Sequence, residues 1–584
     1  MWAPGCNPAC VVVFSPSMDR KNKLYFGDNL GILRREVPGS SVDLIYLDPP
    51  FNSNATYNVL FKEKSGEESA AQITAFEDTW QWSMEAEAVY KEIVTSGPRK
   101  LADLMQALLA FLGRNDMMAY LVMMAIRLVE LHRALKPTGS IYLHCDPTAS
   151  HYLKLVLDAI FGHGRFLNEV AWKRSSAHSD TKQGMKRCGR IHDVLFIYTK
   201  SESYTWRSIY TPYTKEYLES EYRHVSEDGR RYKETDLTAA KPGGDVKYKW
   251  RVKRLMAKGR RWEADLTDEY MRPRKGFEYK AVSPYGGRFW AYSKQNLVEF
   301  ARSGHLIHRS TGMPRLVQYA DEMPGIPVQD LWSDISPAMG TEDLGYPTQK
   351  PNALLKRIIN LSSNEGDLVL DPFCGCGTAI AAAEELKRRW IGIDITYLAI
   401  NLVQRRLRDS FAEQLSPYEI IGAPTDVQGA EALKEISPHQ FEWWAVDLVN
   451  ARPAKDHKKG ADTGIDGYIN FFDDRSGQAK QVIVQVKSGY VGVNHVRDLK
   501  GVLDREKAAI GALITLREPT KPMLTEAAAT GFYESKDFPG RYPRLQILTI
   551  AELLAGKKLE YPTHRVETFA KAERKTKTQQ EGLF

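Results

Sequence analysis

The segment LVLDPFCGCGTAIAAAEELKRRWIGIDI (368–395) constrains the fold more than any other part of the chain. An apolar run ends in Asp371, a glycine-rich turn follows, an alanine-rich helix starts near Thr378, and a second apolar run ends in Asp394. Strand, turn, helix and strand in that order are the build of an α/β sheet. Gly375 and Gly377 carry no Cβ, so the backbone can bend sharply and a ligand can lie against it. A carboxylate at the end of the second strand can accept hydrogen bonds from ribose hydroxyls, as in dinucleotide-binding folds. Ile380 stands where the third glycine of a G-x-G-x-x-G pattern would be, which disfavours a nicotinamide dinucleotide.

The same alternation runs along much of the chain. Strands are expected at 42–47, 140–145 and 193–199, with a helix over 117–135 whose methionines read as packing and which KPTG (136–139) breaks. Residues 200–340 lose periodicity and gain charged and aromatic side chains. The pattern returns with a helix at 352–363 and a strand at 367–371, and a third unit runs from about residue 437 to 555. A chain of 584 residues that is 43% hydrophobic has length for two to four domains. Six cysteines without regular spacing argue for a reducing compartment, and Cys6 and Cys10 have no second pair to complete a metal site. No stretch reaches the ~18 apolar residues of a spanning helix. The first residues lack the basic flank of a signal peptide, and Met18 reads as the natural start, with 1–17 as an extension. The net charge of +7 is uneven. KPGGDVKYKWRVKRLMAKGRRW (241–262) interleaves cations with Tyr and Trp, which suits phosphates and stacked bases, or else a solvated charged face.

The run VDLIYL (42–47) stops abruptly at Asp48-Pro49-Pro50-Phe51. The exocyclic amine of adenine is a poor nucleophile because its lone pair is delocalised into the ring. A carboxylate and a carbonyl that both accept its N–H groups localise that pair, and Asp48 with the Pro49 carbonyl can supply them. The prolines fix φ and hold both acceptors in place before the base arrives. Phe51 can stack on a base rotated out of the duplex. Alone, the stretch also fits an ordinary turn after a buried strand; beside the glycine loop, the functional reading is the stronger.

Together these motifs resemble the β class of amino-group DNA methyltransferases, in which the acceptor motif precedes the cofactor motif. The resemblance extends through most of 18–410. It implies S-adenosylmethionine as cofactor and double-stranded DNA as partner. GDNLGIL (27–33) looks like the segment whose acid, here Asp28, contacts the cofactor's adenine. YPTQKP (346–351) looks like the stretch, here with Lys350, that helps hold the methionine part. The implied cofactor set is Asp28, Lys350, Asp371, Phe373, Gly375, Gly377, Thr378 and Asp394; the catalytic set is Asp48, Pro49, Pro50 and Phe51. NEVAWKR (168–174) and GRFWAYSKQNL (287–297) are similar to type III modification subunits, and 200–340 then reads as the target-recognition region. An aspartate opening the acceptor motif resembles adenine-N6 enzymes, whereas cytosine-N4 enzymes more often carry serine.

In the third unit, FEWWAVDLV (441–449) opens a helix, and KKGADTGIDGYINFF and QAKQVIVQVKSG follow. An acid after a glycine turn, then acceptor-x-Lys one strand later, is the layout of PD-(D/E)xK nucleases. Alternation puts Gln485 and Lys487 on one face of a strand. GADTGID with VQVKSG resembles the Mrr-like restriction endonucleases, which implies Asp466 and Gln485 as Mg²⁺ ligands, Lys487 beside the attacking water, and Glu442 as a further site residue. Gln485 replaces the more common Glu and carries no charge, so metal affinity should fall; a degenerate fold that only binds DNA is the alternative. No G-x-x-x-x-G-K-[ST] loop occurs, so no ATP-driven motor is expected in this chain.

The chain ends in Gln580-Glu581-Gly582-Leu583-Phe584 behind a Lys-rich stretch. Gln580, Leu583 and Phe584 resemble the peptide by which bacterial proteins dock on the replication sliding clamp. The expected layout is an extension (1–17), acceptor part (18–200), target region (201–340), cofactor part (341–415), linker (416–436), Mrr-like module (437–556) and basic tail (557–584). The fold class is α/β, a Rossmann-like methyltransferase sheet with an inserted region plus a C-terminal α/β nuclease-like domain. The expected activity is adenine-N6 methylation in a bacterial or phage-encoded cytoplasmic enzyme, with no membrane partner and a homodimer as one assembly. The rival readings are N4-cytosine methylation, a primarily Mg²⁺-dependent nuclease with a protective methylase half, and a DNA-binding module without turnover.

Overall fold

The computed structural model describes residues 21–50, 82–175, 186, 188–241, 247–256, 261–267, 273–344, 346, 348–454, 464–473, 478–535, 540–563 and 565–566, with backbone alone for strands 56–62 and 68–77. Residues 1–17, Met18, Phe51, Gln580, Leu583 and Phe584 lie outside the described residues. The chain divides into two compact units, one from the described residues of 1–207 and 329–581, the other from 208–328.

The first unit is organised by a nine-stranded sheet. Its strands are β1 (Asn22–Phe26), β2 (Val42–Leu47), β3 (Leu135–Cys145), β4 (Phe166–Lys173), β5 (His192–Thr199), β6 (Leu331–Trp332), β7 (Leu368–Asp371), β8 (Arg389–Asp394) and β9 (Tyr418–Ile421). They lie in the order β6-β4-β5-β3-β2-β7-β8-β1-β9. β3-β2-β7-β8-β1-β9 are mutually parallel, and β5 is antiparallel to both β3 and β4. Leu44, Ile45 and Leu47 are fully buried, which is why β2 reads as one continuous apolar run at the centre of the sheet. Helix α1 (Asn29–Glu36) follows β1, and α2 (Asp116–Ala134) precedes β3. Asn115 caps α2 by accepting from the Met118 N–H, and Met118, Met123 and Met124 are packed in the core. α3 (Asn352–Ser362), α4 (Thr378–Glu385) and α5 (Tyr397–Phe411) surround the cofactor loop.

KPTG does not interrupt the chain as the sequence suggests. β3 runs through it, with a register shift against β2 between Val42 and Leu44. A Cβ at Gly139 would lie 2.8 Å from the Asp43 carbonyl and 2.6 Å from the Leu135 side chain, so only glycine lets the strands close there. Lys136 anchors the irregular stretch on Asp43 at 2.8 Å.

A second sheet in this unit follows the path β10 (Arg452–Pro453), β11 (Gly467–Phe472), β12 (Lys480–Lys487), β13 (Ile510–Thr515) and β14 (Leu545–Thr549). β12, β13 and β14 are parallel, and helix α6 (Pro438–Leu448) leads into the sheet. Asp447 of α6 is buried against α5, where it accepts from Asn401 and pairs with Arg405 at 3.1 Å. The Tyr397 N–H at the start of α5 donates to the Gln440 side chain at 2.8 Å.

The 208–328 unit is built from short antiparallel strands. Residues 250–255, 263–264 and 277–282 form one sheet; 224–225, 231–236, 306–308 and 314–319 form another. Strands this short leave no long period in the sequence. The basic-aromatic stretch is used differently from the expectation of stacking rings. Trp250 and Trp262 are buried in the unit's core, Arg251 pairs with buried Asp265 at 2.7 Å, and Arg254 pairs with Glu278 at 2.6 Å. Lys247 and Lys249 stay exposed.

Candidate active site

β2 and β7 are hydrogen-bonded neighbours, with Leu44 opposite Val369 and Ile45 opposite Leu370. Segments far apart in the chain therefore end side by side: Asp48 follows β2, Asp371 ends β7, and Asp394 ends the adjoining β8. A crevice at the carboxyl ends of parallel strands is where α/β sheets bind ligands. Here it is a cavity of about 270 Å³ whose charged lining is Asp28, Asp48, Arg127, Lys350, Asp371 and Asp394.

The turn after β7 is shaped by its carboxylates. Asp394 Oδ2 accepts from the Gly375 N–H at 2.9 Å, and Oδ1 accepts from the Thr396 N–H and hydroxyl, both at 2.9 Å. Asp371 Oδ1 accepts from the Phe373 N–H at 3.1 Å, which places the Phe373 ring at the cavity wall. Gly377 has φ +75°, and a Cβ there would stand 2.8 Å from the Val403 side chain. The Thr378 hydroxyl, at the start of α4, turns away to accept from Arg406 at 2.7 Å.

Asp28 caps α1 through the Gly31 N–H at 3.1 Å, and its other oxygen pairs with Arg127 at 2.7 Å. Arg127 also donates to Asn29, and Asn29 donates to the Pro372 carbonyl at 2.8 Å. Lys350 was expected beside the methionine part of the cofactor. In the structure its ammonium lies 2.5 Å from Asp48 Oδ2, with both side chains nearly buried. The other oxygen, Asp48 Oδ1, is buried and has no hydrogen-bond partner among the described residues.

Sequence reasoning missed Asn29, Arg127 and Tyr346, whose ring lies 3.2 Å from where a Cβ on Gly375 would be. It also missed a buried file of polar groups beside Asp48. The Tyr46 hydroxyl meets His144 Nδ1 at 3.0 Å, and His144 Nε2 meets Asp193 Oδ2 at 3.2 Å. These residues sit inside apolar runs, where periodicity marks them only as core.

Burial holds the Asp371 carboxyl well above the usual carboxylate range, and the nearby charges of Asp48 and Asp394 push it the same way. Burial also raises Asp394. Such a cavity favours a cation. S-adenosylmethionine, with a sulfonium, an ammonium and one carboxylate, is net positive. The acids and the glycine cradle therefore fit that cofactor. The sign of the pH dependence follows. Above the ordinary aspartate pKa of ~3.9, the unfolded chain ionises Asp371 while the folded chain keeps its proton, so the free protein loses stability as pH rises through that window. A bound cation favours the ionised form, so binding releases protons and tightens with pH. Calorimetry in two buffers of different ionisation enthalpy should show proton release that falls in Asp371→Asn.

The strand ends and cavity define a Rossmann-like enzyme that binds a small cationic, nucleoside-type ligand beside a proline-backed acceptor loop. The chain belongs to the N6/N4 DNA methylase family, whose profile, described as DNA methylase, matches residues 42–405. Residues 437–555 match a second family, described as NACHT-associated inactive restriction endonuclease 1. The chain is 28% identical over 388 residues to the type II methyltransferase M.EcaI of Enterobacter cloacae, covering 66% of this chain and 69% of that protein. It is 28% identical over 387 residues to the Mod subunit of the type III restriction-modification enzyme StyLTI of Salmonella typhimurium, covering 62% of this chain and 50% of that protein. Among solved structures it matches TTHA0409 of Thermus thermophilus, a DNA modification methylase complexed with S-adenosyl-L-methionine, at 15% identity and a TM-score of 0.30, over 68% of this chain and 97% of that one.

In the second sheet, Asp466 Oδ2 accepts from the Val486 N–H at 2.6 Å, so the acid is fixed against β12. Gln485 is buried on β12, and its Oε1 has no hydrogen-bond partner. Lys487 ends the same strand. Glu442 of α6 is pushed up to about 7, first by burial and then by the charge of Asp466, with His439 at 3.6 Å. Among the described residues no three His, Cys, Asp or Glu side chains are grouped to hold a metal ion. No helix among them is long and apolar enough to cross a membrane.

Proposed function

We propose that this chain transfers the methyl group of S-adenosylmethionine to N6 of an adenine rotated out of duplex DNA, in a restriction-modification setting. The observation that carries the reading is Asp48. Lys350 holds one carboxylate oxygen, while the other is buried without a partner at the end of β2 and on the cofactor cavity. A buried acceptor left unpaired is costly, and an incoming N–H removes that cost. Asp48 Oδ1 and the Pro49 carbonyl accept the two amine hydrogens, Pro49 and Pro50 keep them fixed, and Phe51 stacks on the base. Asp371, Phe373, Gly375, Gly377, Thr378 and Asp394 form the cofactor cradle, with Asp28 at its adenine end. Bound there, the cofactor would supply the electrophilic methyl. The aspartate at the head of the acceptor motif supports adenine; N4-cytosine is the alternative. Methylome sequencing of a methylation-null host that expresses the gene tests this. N6-methyladenine at one fixed motif is the expected result, and N4-methylcytosine or an unmodified genome would refute it.

A second reading concerns the C-terminal module. Asp466, Gln485 and Glu442 would hold Mg²⁺, which would polarise a phosphate while Lys487 orients water. The buried, unpartnered Gln485 oxygen favours it. The absence of three grouped acid, His or Cys donors among the described residues makes the site weak, so any cleavage should be slow and need millimolar Mg²⁺. Wild type and Asp466→Ala should differ in nicking unmodified DNA with Mg²⁺; equal products, or none, leave the module a DNA-binding element. The tail residues Gln580, Leu583 and Phe584 are proposed to dock on a sliding clamp, and a tail peptide that gives no heat on titration with the clamp would end that proposal.

A further inference from the structure

Methylation of an exocyclic amine leaves the nitrogen with one proton too many, and the Asp48 environment does not offer an open base for it. One Asp48 oxygen is already engaged by Lys350, and the other is the acceptor that positions the amine. A second set of groups stands beside it. Tyr46 lies two positions before Asp48 on the same face of β2, and it lines the cavity. Its hydroxyl is 3.0 Å from His144 Nδ1 on the neighbouring β3, and His144 Nε2 is 3.2 Å from Asp193 Oδ2 on β5. Tyr46, His144 and Asp193 are each at most 3% exposed. The file crosses three adjacent strands and meets Arg174, just past β4, whose Nε is 3.1 Å from Asp193.

The charges fix the proton positions. His144, Arg174 and Lys350 hold the Asp193 carboxyl below the usual range despite its burial. An ionised Asp193 accepts from Nε2–H, so Nδ1 of a neutral His144 is an acceptor and the Tyr46 hydroxyl donates to it. The charged or titratable groups around the file are Asp48 on β2, Asp193 on β5, Arg174 beyond β4, Lys350 before α3 and Asp371 on β7.

We propose that Tyr46, His144 and Asp193 form a relay that takes up the proton released by the methylated amine; this rests on the amino-methylation reading above. The amine nitrogen forms the new N–C bond as the S–C bond breaks, and the electron pair of the broken bond stays on sulfur. The surplus proton passes to the Tyr46 oxygen, directly or through one water, while the Tyr46 proton passes to His144 Nδ1. Tyr46 ends neutral, the methylated amine ends neutral, and the imidazolium faces Asp193. Tyr46 is the group that meets the substrate; His144 and Asp193 act through it.

The test is single-turnover transfer to unmethylated genomic DNA from a methylation-null bacterium, measured against pH on the full chain with saturating cofactor. The wild-type rate should fall at low pH as His144 becomes protonated. Tyr46→Phe should bind cofactor normally, lose at least about 100-fold in rate, lose that low-pH limb, and be partly rescued by added imidazole. Asp193→Asn should move the limb to lower pH. A Tyr46→Phe protein with the wild-type rate would overturn the relay. So would one slowed equally at every pH and not helped by imidazole, since that is the mark of a merely structural role. A wild type that transfers no methyl to this DNA would overturn the underlying reading and the relay with it.

Discussion

Asp48→Ala should lower single-turnover methyl transfer by at least about 100–1000-fold while cofactor binding stays within a few-fold of wild type. The magnitude is that of removing one preorganised hydrogen-bonding group from a reacting centre. The separation of the two effects follows from the geometry. The cofactor loop is held by Asp394 and Asp371 on β8 and β7, through the Gly375 and Phe373 N–H groups, and not by Asp48. Asp48 serves the acceptor side and is itself held by Lys350. The measurement is the rate with saturating DNA and cofactor, beside the cofactor affinity of the same preparation. Asp48→Asn keeps the shape and one acceptor oxygen and should retain more activity than the alanine variant.

Lys350→Met should be the most destabilising single change at the site. Both side chains of the pair are nearly buried, with Lys350 10% and Asp48 14% exposed. Removing the ammonium leaves a carboxylate in a cavity that already holds Asp371 and Asp394. Breaking a buried pair from one side costs about 3–5 kcal/mol. The double variant Asp48→Asn/Lys350→Met removes the orphaned charge, so it should regain most of that stability without regaining full activity. Denaturant unfolding of the four proteins of this cycle reads the result. If Lys350→Met is as stable as wild type, the ion pair does not hold the acceptor loop.

The parts of the site that sequence reading reached are those where chemistry interrupts a pattern. Asp48, Asp371 and Asp394 each end an apolar run, and the structure puts the carboxyl ends of those strands side by side. What the sequence could not tell is pairing. Nothing local to Lys350 says that its partner is Asp48, because the contact depends on sheet order. Tyr46, His144 and Asp193 were hidden for a related reason. Each sits in a strand that is apolar on both sides, and only the register of β2, β3 and β5 lines them up. The 208–328 unit was the least legible. Its strands are too short for a period, and Trp250 and Trp262, read as surface rings, are its core. KPTG misled in the opposite sense, since a glycine and a proline inside a strand can mark an irregular register as well as an end.

The most direct measurement follows the methyl group itself. The protein is incubated with duplex DNA and S-adenosylmethionine labelled in the transferred methyl, and the DNA is then digested to nucleosides and separated. Label in N6-methyladenine is the predicted result. Label on carbon-5 of cytosine, or DNA that stays unlabelled while the protein binds the cofactor, would contradict the account.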